Sequence, residues 1–140
     1  QVRDGSGVSV GLSDGFNARD LSIEAKVNYS GRGAPALVFR VQEKDGEITG
    51  MYAAALFADG VNVWRFSDGR WMLLMTQAVP MAPRTPHSLR ADVKGDSIQV
   101  YADGERMSEV IDDGLVAAGR AGIRATDGPC KFSGLRVTKR

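Results

Sequence analysis

Four polar side chains stand within segments of the sequence that are typical of strands, and their chemistry suits a ligand rich in hydroxyl groups. They are one carboxylate, two guanidinium groups and one phenol: Glu24, Arg40, Tyr52 and Arg65. Charged groups form paired hydrogen bonds with neighbouring hydroxyls, and an aromatic ring offers an apolar plane to C–H groups. If the fold brings the four together, they would hold a polyhydroxylated molecule.

The same residues also have a structural interpretation, which the sequence leaves open. Arg40 and Glu24 would form a cross-strand ion pair, as is common on antiparallel sheets. Tyr52 would cover the sheet surface, and Arg65 would be solvated.

Catalytic chemistry finds little support among the acidic residues. Glycoside hydrolysis needs two carboxylates, about 5–5.5 Å apart for retention or about 6.5–9.5 Å apart for inversion. Eight of the 17 acids belong to Asp-Gly turns, and Glu24 is the acid that we place on a free strand face, where Asp92 could join it. The single histidine, His87, and the single cysteine, Cys130, are interpreted as structural because nothing in the sequence marks a nucleophilic partner. We expect a binding protein rather than an enzyme.

Calcium is a possible metal ion for this chain, whereas one cysteine and one histidine exclude the usual zinc sites. Aspartates in turns can supply the oxygen ligands that calcium takes. The best candidates are Asp112, Asp113 and Asp127. Their spacing matches no EF-hand, so a plain turn role competes with the metal, and no other cofactor is expected.

Asp-Gly pairs divide the chain and indicate its architecture. The pair occurs eight times, and glycine reaches 17 of 140 residues. Both residues tolerate positive φ, which tight hairpin turns require. The segments between them are typical of strands, with strict alternation over 21–29 and apolar runs over 34–42 and 51–58. Segment 107–118 has no clear period and is predicted to be a loop.

Nine or ten short strands in 140 residues predict an all-β fold, an antiparallel jelly-roll β-sandwich that forms one domain over residues 1–140. The formal net charge of +1 gives no basis for binding nucleic acid or a membrane surface. No apolar run approaches the roughly 20 residues of a membrane-spanning helix. The chain begins at Gln1, which predicts a processed form or a piece of a longer protein.

Turn positions decide which side chains share a face of a sheet. Two-residue turns at 59–60 and 68–69 place small and aromatic residues together on one face, which we predict to be the close-packed core. That face carries Ala53, Ala55, Phe57, Trp64, Phe66, Trp71 and Leu73. The opposite, free face would then carry the four polar residues named above. Trp71 lies beside a turn, so it is expected to be the more exposed tryptophan and joins the candidate ligand set.

Six motifs follow one another along the chain: "DLSIEAKV", "ALVFRVQ", "GMYAAALFADGVNVWRF", "PHSLRADVKGDSIQVYADGE", "GRAGIRA" and "CKFSGLRV". In this order, over roughly residues 15–138, they resemble the concanavalin A-like lectin/glucanase β-sandwiches. Within that superfamily the sequence is most similar to carbohydrate-binding module family 66, the C-terminal module of levanases and exo-inulinases. The 3-keto-disaccharide hydrolase domain and laminin-G-like domains are more distantly similar.

The resemblance implies a non-catalytic module that binds a terminal sugar, with fructose of levan- or inulin-type fructans as the first candidate. By the resemblance, Glu24, Arg40 and Tyr52 stand where such modules present ligand-facing groups. It further implies an attached glycan-degrading enzyme that the module tethers to its substrate, in an extracellular or periplasmic location. The alternatives are a hydrolase of the 3-keto-disaccharide type and a laminin-G-like protein-interaction domain.

Overall fold

The fold is built from β-strands alone within the residues that the structure describes. The computed structural model describes residues 2–3, 9–13, 16–31, 33–125 and 130–140. The strands are β1 (Val2–Arg3), β2 (Ser9–Leu12), β3 (Leu21–Tyr29), β4 (Ala36–Lys44), β5 (Glu47–Phe57), β6 (Gly60–Ser67), β7 (Arg70–Ala78), β8 (His87–Lys94), β9 (Ser97–Ala102), β10 (Glu105–Ile111), β11 (Arg120–Ala125) and β12 (Cys130–Lys139). The predicted all-β class is confirmed.

The strands form two antiparallel sheets that face each other as a sandwich. Seven strands follow the order β1-β2-β11-β4-β5-β6-β7 in one sheet, and five follow the order β10-β9-β8-β3-β12 in the other. Consecutive strands such as β3 and β4 lie in different sheets, so the chain crosses between the layers as it does in jelly rolls. The predicted antiparallel jelly-roll sandwich is therefore confirmed.

Of the two turns predicted at 59–60 and 68–69, the second is correct and the first is displaced by one residue. Asp68 and Gly69 both have positive φ, 53° and 73°, and Phe66 pairs with Trp71 as a two-residue turn there requires. The preceding turn consists of residues 58–59 instead of 59–60, because Gly60 already pairs with Phe57 in the ladder. A Cβ at Gly60 would collide with the carbonyl oxygen of Gln77. Glycine is therefore required here because β6 and β7 approach each other closely, and not because of the turn.

The predicted assignment of the two faces is wrong for β5 and β6. The residues that share a face are grouped as predicted, but Tyr52, Ala54 and Leu56 face the five-stranded sheet and belong to the main core. Ala53 and Ala55 lie on the outer face, in a smaller cluster that Trp64 and Phe66 cover in part. Both faces of these strands are apolar, so alternation alone could not decide which one meets the other sheet.

A β-bulge in β4 changes the alternation of its side chains. Leu37 and Phe39 face the main core as predicted, whereas Val41 lies in the outer cluster. The pairing with β5 shifts between Phe39 and Gln42, and Arg40 inside this interval has a positive φ of 50°. The extra residue lets the Arg40 side chain enter the interior instead of the free face predicted for it.

The segment predicted to be a loop at 107–118 begins as a strand. β10 covers Glu105–Ile111 and pairs with β9 through a hairpin turn at Asp103-Gly104. A register shift between Arg106 and Ser108 interrupts the alternation, which explains why no period was visible in the sequence.

Among the residues that the structure describes, no helix has the length and apolar character needed to cross a membrane.

Candidate functional site

A cleft of about 340 Å³ opens on the outer face of the seven-stranded sheet, away from the other layer of the sandwich. Its lining residues come from five strands and from the segment before β4: Ala34, Ala36, Ala53, Ala55, Trp64, Trp71 and Arg124. Pockets of this kind, largely apolar with a few polar groups, are the usual form of small-molecule sites.

The floor of the cleft exists because alanines occupy alternate positions of neighbouring strands. Ala36 pairs with Ala55 across β4 and β5, and Ala53 pairs with Trp64 across β5 and β6. Residues directly opposite each other in an antiparallel pair share a face, so short side chains meet on one surface. Methyl groups leave free volume above the sheet where larger residues would fill it.

Aromatic rings form the wall of the cleft on the side of β6 and β7. Trp71 is 37 % exposed. Its ring packs against Phe66, with centroids 5.0 Å apart and planes tilted by 41°, which fixes its orientation. Trp64 is half-buried on the same face. Exposed aromatic planes held rigidly beside an apolar floor can stack against the C–H face of a ring-shaped ligand.

Arg124 brings the positive charge to the cleft. Its guanidinium carbon lies 4.7 Å from the centroid of the Trp71 ring, which is cation–π geometry. Arg124 is near the end of β11 and pairs with Ala36 at the start of β4, so two adjacent strands set its position. A guanidinium group can donate paired hydrogen bonds to adjacent hydroxyls or to a carboxylate.

The structure does not bring the predicted ligand set together. Trp71 is the predicted residue that lines the cleft. Glu24 lies in β3 of the other sheet, paired across the strands with Arg90 and 3.5 Å from the guanidinium of Arg136. The predicted convergence of Glu24, Arg40, Tyr52 and Arg65 on one free surface is therefore wrong, because Glu24 lies in the other sheet and both Arg40 and Tyr52 are buried.

Arg40 is fully buried and holds loops of the sandwich in place. Its Nε, Nη1 and Nη2 donate hydrogen bonds to the carbonyl oxygens of Arg19 at 2.8 Å, Leu115 at 2.9 Å and Gly95 at 2.6 Å. Among the described residues its ion-pair partner is Asp20, 3.5 Å from Nη2, so the alternative interpretation as an ion pair with Glu24 is also wrong. Burial lowers the pKa of the Arg40 guanidinium, and the three carbonyls and Asp20 together accept hydrogen bonds from all three of its nitrogen atoms.

Tyr52 and Arg65 bind the carboxylate of Asp112, which precedes the connection to β11. The Tyr52 hydroxyl donates to Asp112 Oδ1 at 2.6 Å, and Arg65 Nη1 lies 2.7 and 2.6 Å from the two carboxylate oxygens. Burial raises the pKa of Tyr52 to about 12, assisted by the hydrogen bond to Asp112. Burial acts to raise the pKa of Asp112, but the hydrogen bonds from Tyr52 and Arg65 outweigh it and hold that pKa below its usual range.

The calcium candidates are not gathered into a site within the described residues. Asp112 is engaged by Arg65 and Tyr52, Asp113 is exposed beside it, and Asp127 lies outside the described residues. Residues 2–3, 9–13, 16–31, 33–125 and 130–140 contain no group of three or more acidic, histidine or cysteine side chains that could hold a metal ion.

His87 occupies a buried, fully bonded position. Nδ1 lies 2.9 Å from Asp103 Oδ2, and Nε2 lies 2.7 Å from the carbonyl oxygen of Ala82. Burial acts to lower the pKa of His87, but the contacts with Ala82 and Asp103 raise it overall. Cys130 is half-buried, and burial raises the pKa of its thiol.

Sequence reasoning missed most of the cleft. The sequence pattern predicts that Ala53, Ala55 and Trp64 belong to the core, and it does not single out Arg124. The available signal was the pairing of alternate alanines with tryptophan across a meander, which the sequence analysis interpreted as close packing.

Comparisons with solved structures place this architecture among known sandwiches. A carbohydrate-binding module, CBM66, from Bacillus subtilis is 25 % identical with a TM-score of 0.85, over 94 % of this chain and 82 % of that one. The Caenorhabditis elegans galectin LEC-6 is 12 % identical with a TM-score of 0.65, over 98 % and 99 %. The GH43 protein BlXynB from Bacillus licheniformis (mutant K247S) is 15 % identical with a TM-score of 0.61, over 86 % of this chain and 27 % of that one.

A scan of protein-family models and a search of curated proteins find no match. The galectin and the GH43 protein share the fold at low identity. The CBM66 structure matches nearly the whole chain at a high TM-score. The resemblance to concanavalin A-like sandwiches, with family 66 carbohydrate-binding modules among them, is therefore confirmed.

Proposed function

We propose that the chain is a non-catalytic carbohydrate-binding module and that the sugar lies in the cleft lined by Trp64, Trp71 and Arg124. The observation that carries this proposal is the combination of an alanine floor, an exposed tryptophan and a guanidinium group within one cleft. The similarity to a carbohydrate-binding module and to galectins supports it.

Each part of the cleft has a role in binding a sugar. The Trp71 ring stacks against the apolar C–H face of a sugar ring. The alanine methyl groups let that ring approach the sheet closely. Arg124 donates hydrogen bonds to adjacent hydroxyls, with the orientation of its fork fixed by contact with Trp71.

The size of the cleft favours a chain end over an extended polysaccharide segment. Its volume of about 340 Å³ is near the lower limit of the roughly 300–1,000 Å³ found for ligand pockets. A terminal sugar fits this volume, and fructose at the end of a levan- or inulin-type fructan is the specific ligand that we propose. Trp71 and Arg124 would then contact the terminal ring and the remaining chain would extend into solvent.

The chemistry of the lining supports binding without catalysis. Hydrolysis of a glycosidic bond requires a pair of carboxylates, and the cleft residues within the described part of the chain are alanines, tryptophans and an arginine. A hydrolase of the 3-keto-disaccharide type remains the second candidate, and turnover of a keto-disaccharide or a chromogenic glycoside would establish it.

As a binding module, the domain would raise the local concentration of an attached glycan-degrading enzyme at its substrate. A similar sandwich accounts for 27 % of a GH43 protein, which supports an arrangement of this kind. An extracellular or periplasmic location follows from a polysaccharide substrate and is part of the same proposal.

A glycan screen that includes levan, inulin and sucrose tests the proposal, with calorimetry to measure affinities. We expect saturable binding to a fructan by the native chain and loss of that binding in Trp71→Ala. Tyr101→Ala, which removes an aromatic ring from the outer face of the other sheet, serves as the control and should bind normally. Absence of binding to every glycan would contradict the proposal and favour a protein-interaction domain of the laminin-G type.

A further inference from the structure

A second pocket of about 420 Å³ lies at the edge of the five-stranded sheet. It is formed where β3 ends, where β12 begins and where the connection from β7 to β8 passes. Its lining residues are Asn28, Tyr29, Ser30, Arg84, Cys130 and Lys131. The cleft described above opens on the other sheet, so the two pockets share no lining residue.

The pocket carries two cations without a compensating acid among its described lining residues. Arg84 and Lys131 are both exposed, and neither forms an ion pair with any residue of the described ranges. Two uncompensated cations beside one cavity create a positive potential that attracts an anion.

The backbone holds Arg84 in an uncommon conformation. Its φ is 57°, a left-handed value that costs free energy for a residue other than glycine. Its N–H donates a hydrogen bond to the carbonyl oxygen of Tyr29 at 2.9 Å, which joins this connection to the end of β3. The side chain is therefore directed from a fixed backbone position rather than from a free loop.

Neutral polar groups stand beside the two cations. The Ser30 hydroxyl oxygen is shielded from solvent and has no hydrogen-bond partner among the described residues. A hydroxyl that is shielded from solvent and has no hydrogen-bond partner destabilises the protein, and a ligand that forms a hydrogen bond with it removes this cost. The Asn28 side chain adds both a donor and an acceptor. Together these groups complement a ligand that combines hydroxyls with a negative charge.

We propose that this pocket is a second binding site, for an acidic sugar whose carboxylate lies between Arg84 and Lys131. The volume supports a ligand larger than a bare ion, since a water molecule takes only about 30 Å³ and the pocket holds about 420 Å³. Ser30 and Asn28 bind the ring hydroxyls. This inference does not rest on the function proposed for the cleft.

Cys130 provides a direct reporter of occupancy, because it lines the pocket and is the only cysteine in the chain. The rate of its labelling by a maleimide is measured at fixed pH and low ionic strength, with and without D-glucuronate. We expect saturable protection by glucuronate, weakened by added salt. D-glucose, which has the same ring without the carboxylate, should not protect Cys130.

Lys131→Ala and Arg84→Gln test the two cations. Each should weaken glucuronate protection by about tenfold or more, since a charge-assisted hydrogen bond is lost. Lys26→Ala removes an exposed cation from the same sheet outside the pocket and should leave protection unchanged. Each rate is compared with that of the same variant without ligand, and circular dichroism confirms folding.

Three outcomes would overturn the inference: no protection by glucuronate, equal weakening in Lys26→Ala and Lys131→Ala, or equal protection by inorganic phosphate. Equal weakening in the two lysine variants would indicate general charge attraction. Equal protection by phosphate would indicate a site for a bare oxyanion. Trp71→Ala should retain glucuronate protection, so failure of the cleft proposal and failure of this one are distinguishable.

Discussion

Arg124 and Trp71 form one of two arginine–aromatic stacks in the described part of the chain, and this one lines the outer cleft. The guanidinium carbon of Arg124 lies 4.7 Å from the Trp71 centroid, and that of Arg90 lies 4.0 Å from the Tyr101 centroid on the other sheet. The two pairs have the same chemistry in two surroundings, since the Arg90 pair lines neither of the pockets described above. They therefore provide a matched comparison.

Arg124→Ala is expected to weaken sugar binding by roughly tenfold to a hundredfold, because a charge-assisted hydrogen bond contributes about 1.5–3 kcal/mol. Arg90→Ala, which removes the same kind of group from the other sheet, should bind the sugar normally. Calorimetric titration of both variants with the same glycan measures the difference. Equal affinities in the two variants would show that Arg124 is not part of the binding site.

Arg40→Ala is expected to destabilise the fold by about 3 kcal/mol or more, because a fully buried side chain is removed and three part-buried carbonyl oxygens lose their donors at once. Arg40→Lys should also destabilise the protein, since an ammonium group cannot reproduce the planar fork. Urea denaturation of both variants measures the free energies of unfolding. A stable Arg40→Ala protein that has lost sugar binding would instead restore Arg40 as a ligand residue.

Arg40 also shows where sequence reasoning reached its limit. The sequence marks an arginine on an apolar strand, but the bulge that turns this residue inward depends on the pairing of β4 with its neighbours. The Asp68-Gly69 turn was predictable because both residues adopt positive φ locally. Which of the two apolar faces of β5 is buried depends on contacts with the five-stranded sheet. The local sequence of β5 carries no information about those contacts.

Low pH is expected to weaken the hydrogen bonds by which Asp112 joins the connection between β10 and β11 to Tyr52 and Arg65. The folded state lowers the pKa of Asp112, so its stabilising contribution is present above the unfolded value of about 3.9 and is lost as pH falls through the folded pKa. Asp112→Asn should reduce stability near neutral pH and flatten this part of the acid dependence. Denaturation curves at several pH values measure both effects. An unchanged acid profile in the variant would exclude Asp112 as the cause.

His87 is expected to make the protein less stable as pH rises. The folded state raises its pKa, so the stabilising contribution is complete below the unfolded value of about 6.5 and is lost as pH increases through the folded pKa. Both ring nitrogens face acceptors, and only the protonated ring donates to both. His87→Gln should remove the dependence in this range. A dependence that persists in this variant would have to come from another group, since His87 is the only histidine.

Ala53 and Ala54 are neighbours in β5 that point in opposite directions, one to the cleft and one to the main core. Ala53→Leu should fill the floor of the cleft and weaken sugar binding at least tenfold, and it should destabilise the fold less than the matched change at Ala54, because Ala53 lines the cleft. Ala54→Leu adds the same atoms to a packed interior and should destabilise the fold by about 1–3 kcal/mol. Binding by calorimetry and unfolding by urea separate the two effects. If Ala53→Leu binds the sugar normally, the ligand does not occupy this cleft, whatever the stability of the variant.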